Sequence, residues 1–360
     1  MTPSSIIAIV VAIVGSLAPH AAHAAVTGVP HPGLTARELG LIINEDDPLS
    51  VRVGEYYLQR RAIPPQNVVR VRFPTAPVLS AEDFARVKKE VDARLAPAVQ
   101  ALALAWTTPY RVGCMSVTSA FALGFSTANC TEGCRLTPSI PYFDSDSRRP
   151  YTDFGLRPAM LIAARDFAHA RELIDRGVAS DATRPAGTAY LMDTSDRARN
   201  ARQPSFNSAL ALKEKRLDVR IIKSDVLRDR TDVLFYFTGL AVVEAITSNR
   251  FLPGAMADHL TSVGGVLPVS RQMSSLQWLE AGATGSYGAV VEPCSFPGKF
   301  PSVPIAIRRY LAGDTLLEAY WKSVLMPSQG VFIGEPLAAP FAPYGDGPDR
   351  VHRRDTTQSR

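Results

Sequence analysis

Neither GxGxxG nor GxxxxGK followed by Ser or Thr occurs in the 360 residues. The usual sequence support for dinucleotide or nucleoside triphosphate binding is therefore missing. Charge of one sign is also scarce. Lys and Arg number 39 against 34 Asp and Glu, and the small surplus is spread thinly outside Arg350, Arg353, Arg354 and Arg360. No basic stripe with interleaved aromatics appears, so nucleic acid is not an expected partner. There are only four cysteines, Cys114, Cys130, Cys134 and Cys294. A chain this long does not need them as scaffolding, and no second Cys/His pair lies at zinc-like spacing. No metal or other cofactor is expected. After Leu17 no apolar run is long enough to span a membrane.

The N-terminus carries information of the opposite kind. Ile6 to Leu17 is apolar but short for a membrane span, and AHAA (Ala22–Ala25) follows it with small-x-small spacing. This pattern reads as a secretory signal peptide over residues 1–24, cleaved near Ala24, although the stretch holds no Lys or Arg. An uncleaved anchor is the alternative. The expected mature chain is exported, periplasmic or extracellular, with an envelope or extracellular protein as the expected partner. An oxidising compartment permits disulfides. Cys130 and Cys134 flank TEG and are placed to close a small loop. A disulfide is expected among Cys114, Cys130 and Cys134, leaving Cys294 as an unpaired thiol.

With 46% hydrophobic residues the chain can bury a full core. Apolar, β-branched runs alternate with amphipathic stretches: Leu39–Ile43, a helix from a Ser50 cap through Arg61, Asn67–Pro74, a helix from Ser80 to about Leu95, and Ala101–Val112. After a break come Pro158–Asp166, a helix over Phe167–Val178, Thr188–Asp196, a helical stretch across Ala198–Lys215 broken at Pro204, and Leu217–Ser224. The expected fold is α/β, one doubly wound, mostly parallel sheet with helices on both faces. One domain over 35–343 is expected, with 114–157 an irregular, Cys-containing inserted lid and 344–360 a disordered polar tail.

The centre of this reading is Asp232 to Pro293. DVLFYFTG (Asp232–Gly239) reads as a buried strand, Asn249–Gly265 as a polar, glycine-rich loop carrying His259, Ser274–Ala283 as a helix, and Gly285–Cys294 as another strand. Ligands of such sheets bind beyond the carboxyl ends of the strands. That places Thr238, Gly239, Glu292 and Cys294 at the expected binding edge, with Asp193 ending another strand. His259, next to Asp258 and near Ser262, is the candidate general base, and Ser262 or Cys294 the candidate nucleophile. The competing reading makes Asp258 and Ser262 backbone caps, His259 a gap filler and Cys294 an inert thiol. Asp46 and Asp47 read as a solvated acidic turn, Arg165 and Asp166 as an ion pair, Asp314 as a helix cap, and Trp278, Tyr320 and Trp321 as core.

Several segments resemble an uncharacterised family of exported bacterial proteins: LIINEDDPLSVRVGEYYLQRRAIPPQNVVRV, MLIAARD with AYLMDTSD, FYFTG, ADHLTSVGG, EAGATGSYGAVVEP and LAGDTLLEAYWKSVLMPSQGVFIGEPLAAPF. The likeness covers most of the mature chain and names no chemistry. A more distant likeness is to gingipain-type peptidases of the caspase-like group, where a strand ending in Tyr-Thr-Gly-His-Gly supplies a histidine and a cysteine follows the next strand. FYFTG (Phe235–Gly239) matches the start of that motif, but Leu240 and Ala241 follow it, and Asp258–Ser262 contains no cysteine. GEP (Gly334–Pro336) stands where that group has Gly-Asp-Pro. The resemblance implies a caspase-like frame without the peptidase dyad, hence a binding protein. A hydrolase using His259, Asp258 and Ser262 or Cys294 is the alternative.

Overall fold

The computed structural model describes residues 33–129 and 134–343. The expected signal peptide, Cys130 and the polar tail lie outside the described residues. The strands are β1 (Leu39–Asn44), β2 (Val68–Val71), β3 (Val78–Leu79), β4 (Ala101–Leu104), β5 (Arg111–Val112), β6 (Met115–Ser116), β7 (Ala159–Leu161), β8 (Gly187–Asp193), β9 (Leu217–Lys223), β10 (Val233–Thr238), β11 (Phe251–His259), β12 (Gly285–Ala289) and β13 (Gly330–Gly334). The α-helices are α1 (Pro48–Arg61), α2 (Ala81–Arg94), α3 (Val117–Leu123), α4 (Pro150–Phe154), α5 (Phe167–Ser180), α6 (Phe206–Leu210), α7 (Leu276–Glu280), α8 (Val303–Leu311) and α9 (Leu316–Ser323).

Ten of these strands form one sheet in the order β2-β1-β4-β7-β13-β12-β11-β10-β8-β9, and β3, β5 and β6 form a small second one. Within the large sheet every pair is parallel except β12 with β13. The fold is thus α/β and mostly parallel. It consists of two five-stranded parallel blocks that run in opposite directions and meet at one antiparallel seam. Continuous apolar runs make the strands: β1, β4 and β10 are buried along their whole length. Helices cover both faces. In β10, Phe235 packs on Tyr310 of α8 and its neighbour Tyr236 on Trp278 of α7, and adjacent strand residues point to opposite faces. Phe235 and Tyr310 belong to the large core cluster, and Tyr236 and Trp278 to a smaller one.

Two connections set the reversed direction. A single helix running back along the sheet would return a parallel strand. Helix α5 instead runs across the strands. Its Gly177 lies on Glu335 just past β13, and Ser180 meets Gly254 in β11. The chain therefore enters β8 from the edge where β7 ended. The pair α8 and α9 forms a helical hairpin, so the chain returns to the edge at which β12 ended, and β13 runs back antiparallel.

The structure corrects several expectations. The expected loop Asn249–Gly265 contains strand β11. Its proline and glycine sit in a bulge: between Val233 and Phe235 the partner advances from Phe251 to Met256. Pro253 is exposed there, and Gly254 has φ +88°. A bulge leaves residues unpaired, so a proline costs no ladder bond. Ser50 lies inside α1, whose N-cap is Asp47, accepting from the Leu49 N–H; the Ser50 hydroxyl accepts from the Asn44 N–H instead. Thr315 caps α9 with a capping box to Glu318. Asp314 faces Lys322 at 2.9 Å, both buried. Arg165 pairs with Glu280 at 2.8 Å, whereas Asp166 caps α5. The stretch 114–157 holds α3, buried except at its end and in contact with β7 and β13, so its start belongs to the core. Trp278, Tyr320 and Trp321 are fully buried.

Candidate functional site

Because the blocks oppose each other, their carboxyl ends lie at opposite edges of the sheet. Call the edge holding Asn44, Leu161 and Gly334 the first, and that holding Asp193, Thr238, His259 and Ala289 the second. The second edge holds the residues singled out from sequence.

Asp258 and His259 are adjacent in β11 and point to opposite faces. Asp258 is buried with Arg202, whose Nη1 lies 2.7 Å from its Oδ1. Arg202 also donates to the Thr238 carbonyl at 2.8 Å and sits over the Phe237 ring. Burial pushes the Asp258 carboxyl above the usual range, and Arg202 opposes that shift. On the other face the Trp278 indole N–H donates to His259 Nδ1 at 2.9 Å, and His259 Nε2 lies 2.9 Å from the Met273 carbonyl. The indole can only donate and the carbonyl can only accept. These contacts fix His259 as the neutral tautomer with its proton on Nε2, and burial lowers its pKa to about 3. The one basic nitrogen is occupied. Asp258 does not orient His259, and no hydrogen bond joins either to Ser262.

Two clefts open at this edge and meet at Phe300. The first, about 120 Å³, is lined by Arg199, Thr261, Ser262, Glu292, Cys294 and Phe300 among others. The second, about 410 Å³, is mostly apolar, with Phe143, Pro204, Pro297, Phe300, Pro301 and Leu325 in its walls and Arg202 at its base. Together they make a groove, polar at one end and apolar at the other. One wall is the segment 198–205, which leads into α6. It is seated by Arg199, which bonds Asp196 at 2.8 Å and the Thr261 hydroxyl at 3.2 Å. Gly239 allows this: a Cβ there would collide with the Arg199 carbonyl. The opposite wall, 292–302, is held by Lys299, buried and donating to the Gln329 side chain at 2.7 Å and to the Arg135 carbonyl at 2.6 Å.

Of the residues expected at the site, the structure brings Ser262, Glu292 and Cys294 to the polar cleft. Asp193 accepts from the Asn200 side chain at 2.7 Å, behind the 198–205 wall. Thr238 contributes its carbonyl to Arg202, and its hydroxyl is buried without a partner. Two of the cysteine expectations are overturned, the loop closed by Cys134 and the unpaired Cys294. Cys134 is joined to Cys294, with 5.4 Å between Cα atoms and a sequence separation of 160. Cys294 is no free thiol, and Cys134 does not close a loop onto Cys130. The cause is topology: the chain after Cys134 lies against 292–300, as the Lys299–Arg135 contact records. Cys114 is disulfide-bonded as well.

Sequence reading missed Arg202, Trp278 as a partner of His259, and the apolar cleft. The run FPGKFPS (Phe296–Ser302) carried a signal for the last, since prolines and aromatics clustered outside a strand or helix suit a rigid recognition surface. Arg202 lies in the polar run DRARNARQP with nothing to distinguish it from its neighbours. Among the described residues no group of three or more His, Cys, Asp or Glu is placed to hold a metal ion, and no helix is long and apolar enough to cross a membrane. No family model, curated protein or solved structure matches the chain.

Proposed function

We propose that the chain is an exported binding protein whose groove at the second edge takes an apolar segment of an envelope or extracellular partner. The observation that carries this reading is the 410 Å³ cleft walled by prolines and phenylalanines, which shares Phe300 with a small polar cleft. Binding sites are commonly concave and apolar, with a few polar groups to fix orientation. Proline walls lose little entropy when they are covered. Arg202 at the base is already matched by Asp258, so the site suits an uncharged apolar group rather than an anion. Glu292 and Ser262 at the polar end suit a donor, such as an amide or an amine.

Export is supported by the apolar Ile6–Leu17 stretch with AHAA behind it, and the Cys134–Cys294 disulfide accords with an oxidising compartment. The frame, on this reading, is a caspase-like one that kept the FYFTG strand and has Leu240 where the peptidase histidine would be. The alternative hydrolase would use His259 with Asp258 and Ser262 or Cys294. It is the weaker reading, because Trp278 occupies the basic nitrogen of His259 and Cys294 is in a disulfide.

The test is a fluorescence titration of the mature protein with anilinonaphthalene sulfonate and with Phe- and Leu-bearing peptides. Leu325→Asp should weaken binding at least about tenfold, the scale of one buried side chain. Equal binding by wild type and Leu325→Asp would sink the groove. In parallel, hydrolysis of peptide and ester substrates should be the same for wild type and His259→Ala. A loss confined to the variant would revive the hydrolase.

A further inference from the structure

We propose that the Cys134–Cys294 disulfide is a redox-operated latch on this groove: oxidised, it holds the two walls in binding geometry, and reduced, it lets them part. The inference rests on the groove reading above and adds its regulation.

The position of the cystine carries the argument. Cys294 itself lines the polar cleft, and Phe143, on the chain that follows Cys134, lines the apolar one. The bond therefore ties together two stretches that each contribute to the groove. Neither stretch is braced by regular structure at the tie: 134–140 and 291–296 contain no helix or strand. Apart from Ile140 and Val291 at their inner ends, which pack in the core, they are held by hydrogen bonds, from Lys299 to the Arg135 carbonyl, from the Ile140 N–H to the Leu325 carbonyl at 3.0 Å, and from the Gln329 side chain to the Glu292 carbonyl at 3.1 Å. Segments of this kind open first when a constraint is removed.

The backbone at Cys294 points the same way. Its φ is +56°, in the left-handed region that residues with a Cβ seldom occupy. The turn is held by the disulfide on one side and by the Cys294 N–H donating to Glu292 Oε1 at 2.7 Å on the other. Cutting the disulfide frees Cys294 to return to negative φ, and Glu292, the acceptor at the polar end of the groove, turns with it.

The bond is also reachable. Cys134 is exposed and Cys294 half-buried. A thiolate from a dithiol reductant attacks Cys134 Sγ, the S–S bond breaks, and Cys294 leaves as a thiolate that takes a proton. The second thiol of the reductant then attacks the mixed disulfide, which releases Cys134 as a thiol and leaves the reductant as a disulfide. Two electrons pass from reductant to protein. An oxidant of the dithiol-disulfide class reverses the sequence.

The experiment compares three forms of the full chain: oxidised wild type, wild type reduced with a dithiol, and Cys134→Ser/Cys294→Ser. Each is checked by near-UV circular dichroism and titrated with anilinonaphthalene sulfonate, with Leu325→Asp as the groove control. The latch predicts binding at least about fivefold weaker in the reduced protein and in the double variant, the low end of coupling between two sites. It further predicts that the double variant no longer responds to dithiol, although the Cys114 disulfide is still present to be reduced. Hydrogen exchange gives a readout independent of any ligand: amides of 134–143 and 291–302 should exchange faster after reduction. Equal affinity in all three forms, with Leu325→Asp still impaired, overturns the latch and leaves the groove standing. Unchanged exchange in both segments overturns the latch whether or not the probe binds.

Discussion

The two edges of the sheet end in strands of the same kind and are closed in different ways. At the first edge polar side chains fill the space around the ends of β4, β7 and β13. Glu335, fully buried, accepts from the Tyr57 hydroxyl at 2.7 Å and from Arg61 Nε at 2.9 Å. The Thr107 hydroxyl donates to the Ala164 carbonyl at 2.6 Å and accepts from the Ala164 N–H at 2.9 Å. Arg176 donates to the Leu279 and Ala283 carbonyls at the end of α7, and burial lowers its pKa to about 10. The cleft left beside Ala163 and Arg176 is about 10 Å³, and the larger one at this edge, about 370 Å³ at the starts of β8 and β9, is lined by charged groups such as Lys213, Arg216, Asp218, Arg220 and Asp232. The second edge has its own polar network around Arg202 and Arg199, yet beside a cleft of about 120 Å³ it keeps a mostly apolar one of about 410 Å³, walled by prolines and phenylalanines. Open α/β sheets usually place ligands at carboxyl edges, and this sheet has two. The difference teaches that an edge supplies an opportunity and the side chains decide. GEP is the sharpest case: at the first edge its glutamate is consumed by an ion pair with Arg61.

The largest effect should come from the tie at the second edge. Cys134→Ser/Cys294→Ser releases a loop spanning 160 residues in the unfolded chain, and loop-closure entropy puts the loss at about 5 kcal/mol. Urea denaturation under non-reducing conditions measures it, and a loss below about 1 kcal/mol would show that the edges do not differ in this respect.

Arg202→Met comes next. It strands the Asp258 carboxylate in the core, at about 3–5 kcal/mol near neutral pH. Asp258 has a folded pKa already raised by burial. Its contribution is therefore greatest at low pH and is lost as pH rises through that raised value. The deficit of the variant should shrink as pH falls and Asp258 is protonated. A pH-independent deficit would mean that Arg202 acts only through its bonds to the Thr238 carbonyl and, at 3.4 Å, to the Pro301 carbonyl.

At the first edge Glu335→Gln keeps an acceptor for Tyr57 and removes the charge facing Arg61, which retains Asp181 beside it. About 1–2 kcal/mol is expected, with no effect on groove binding. A change in probe affinity there would break the separation of the edges.

The smallest effect is that of His259→Gln, about 1 kcal/mol. Its pH dependence is the informative part. The folded pKa of His259 is depressed to about 3, against about 6.5 for an exposed histidine. Wild type therefore keeps the full contribution above 6.5 and loses it as pH falls toward 3. The variant should show a shallower loss over that window in thermal melts.

Much of the fold was legible because β1, β4 and β10 are written in uninterrupted apolar residues, and because Ser80 caps its helix as the spacing suggests. Strand β11 was not, since Pro253 and Gly254 read as loop residues and only a bulge explains them. The reversal between blocks was illegible for another reason. The pattern of a helix fixes which face is buried, not whether it runs back along the strands, as in an ordinary crossover, or across them, as α5 does. At the site, Glu292 was visible as a polar residue at the end of an expected strand, and Ser262 as a hydroxyl close to His259 in an expected loop. The Cys134–Cys294 pairing was not, because it depends on which loops the finished sheet brings together.

The seam has a consequence for how the molecule is made. Strand β13 lies between β7 and β12, and it is the last described strand to emerge from the ribosome. Until Gly330–Gly334 arrives, the two blocks share no strand, and each presents an unpaired flank to any other extended chain nearby. Completing the sheet requires contacts between residues 161 and 333, far apart in sequence, so closure is slow and late. The interval before closure is when this protein is most exposed to aggregation, and a chaperone that shields β7 and β12 would act at the point of greatest need.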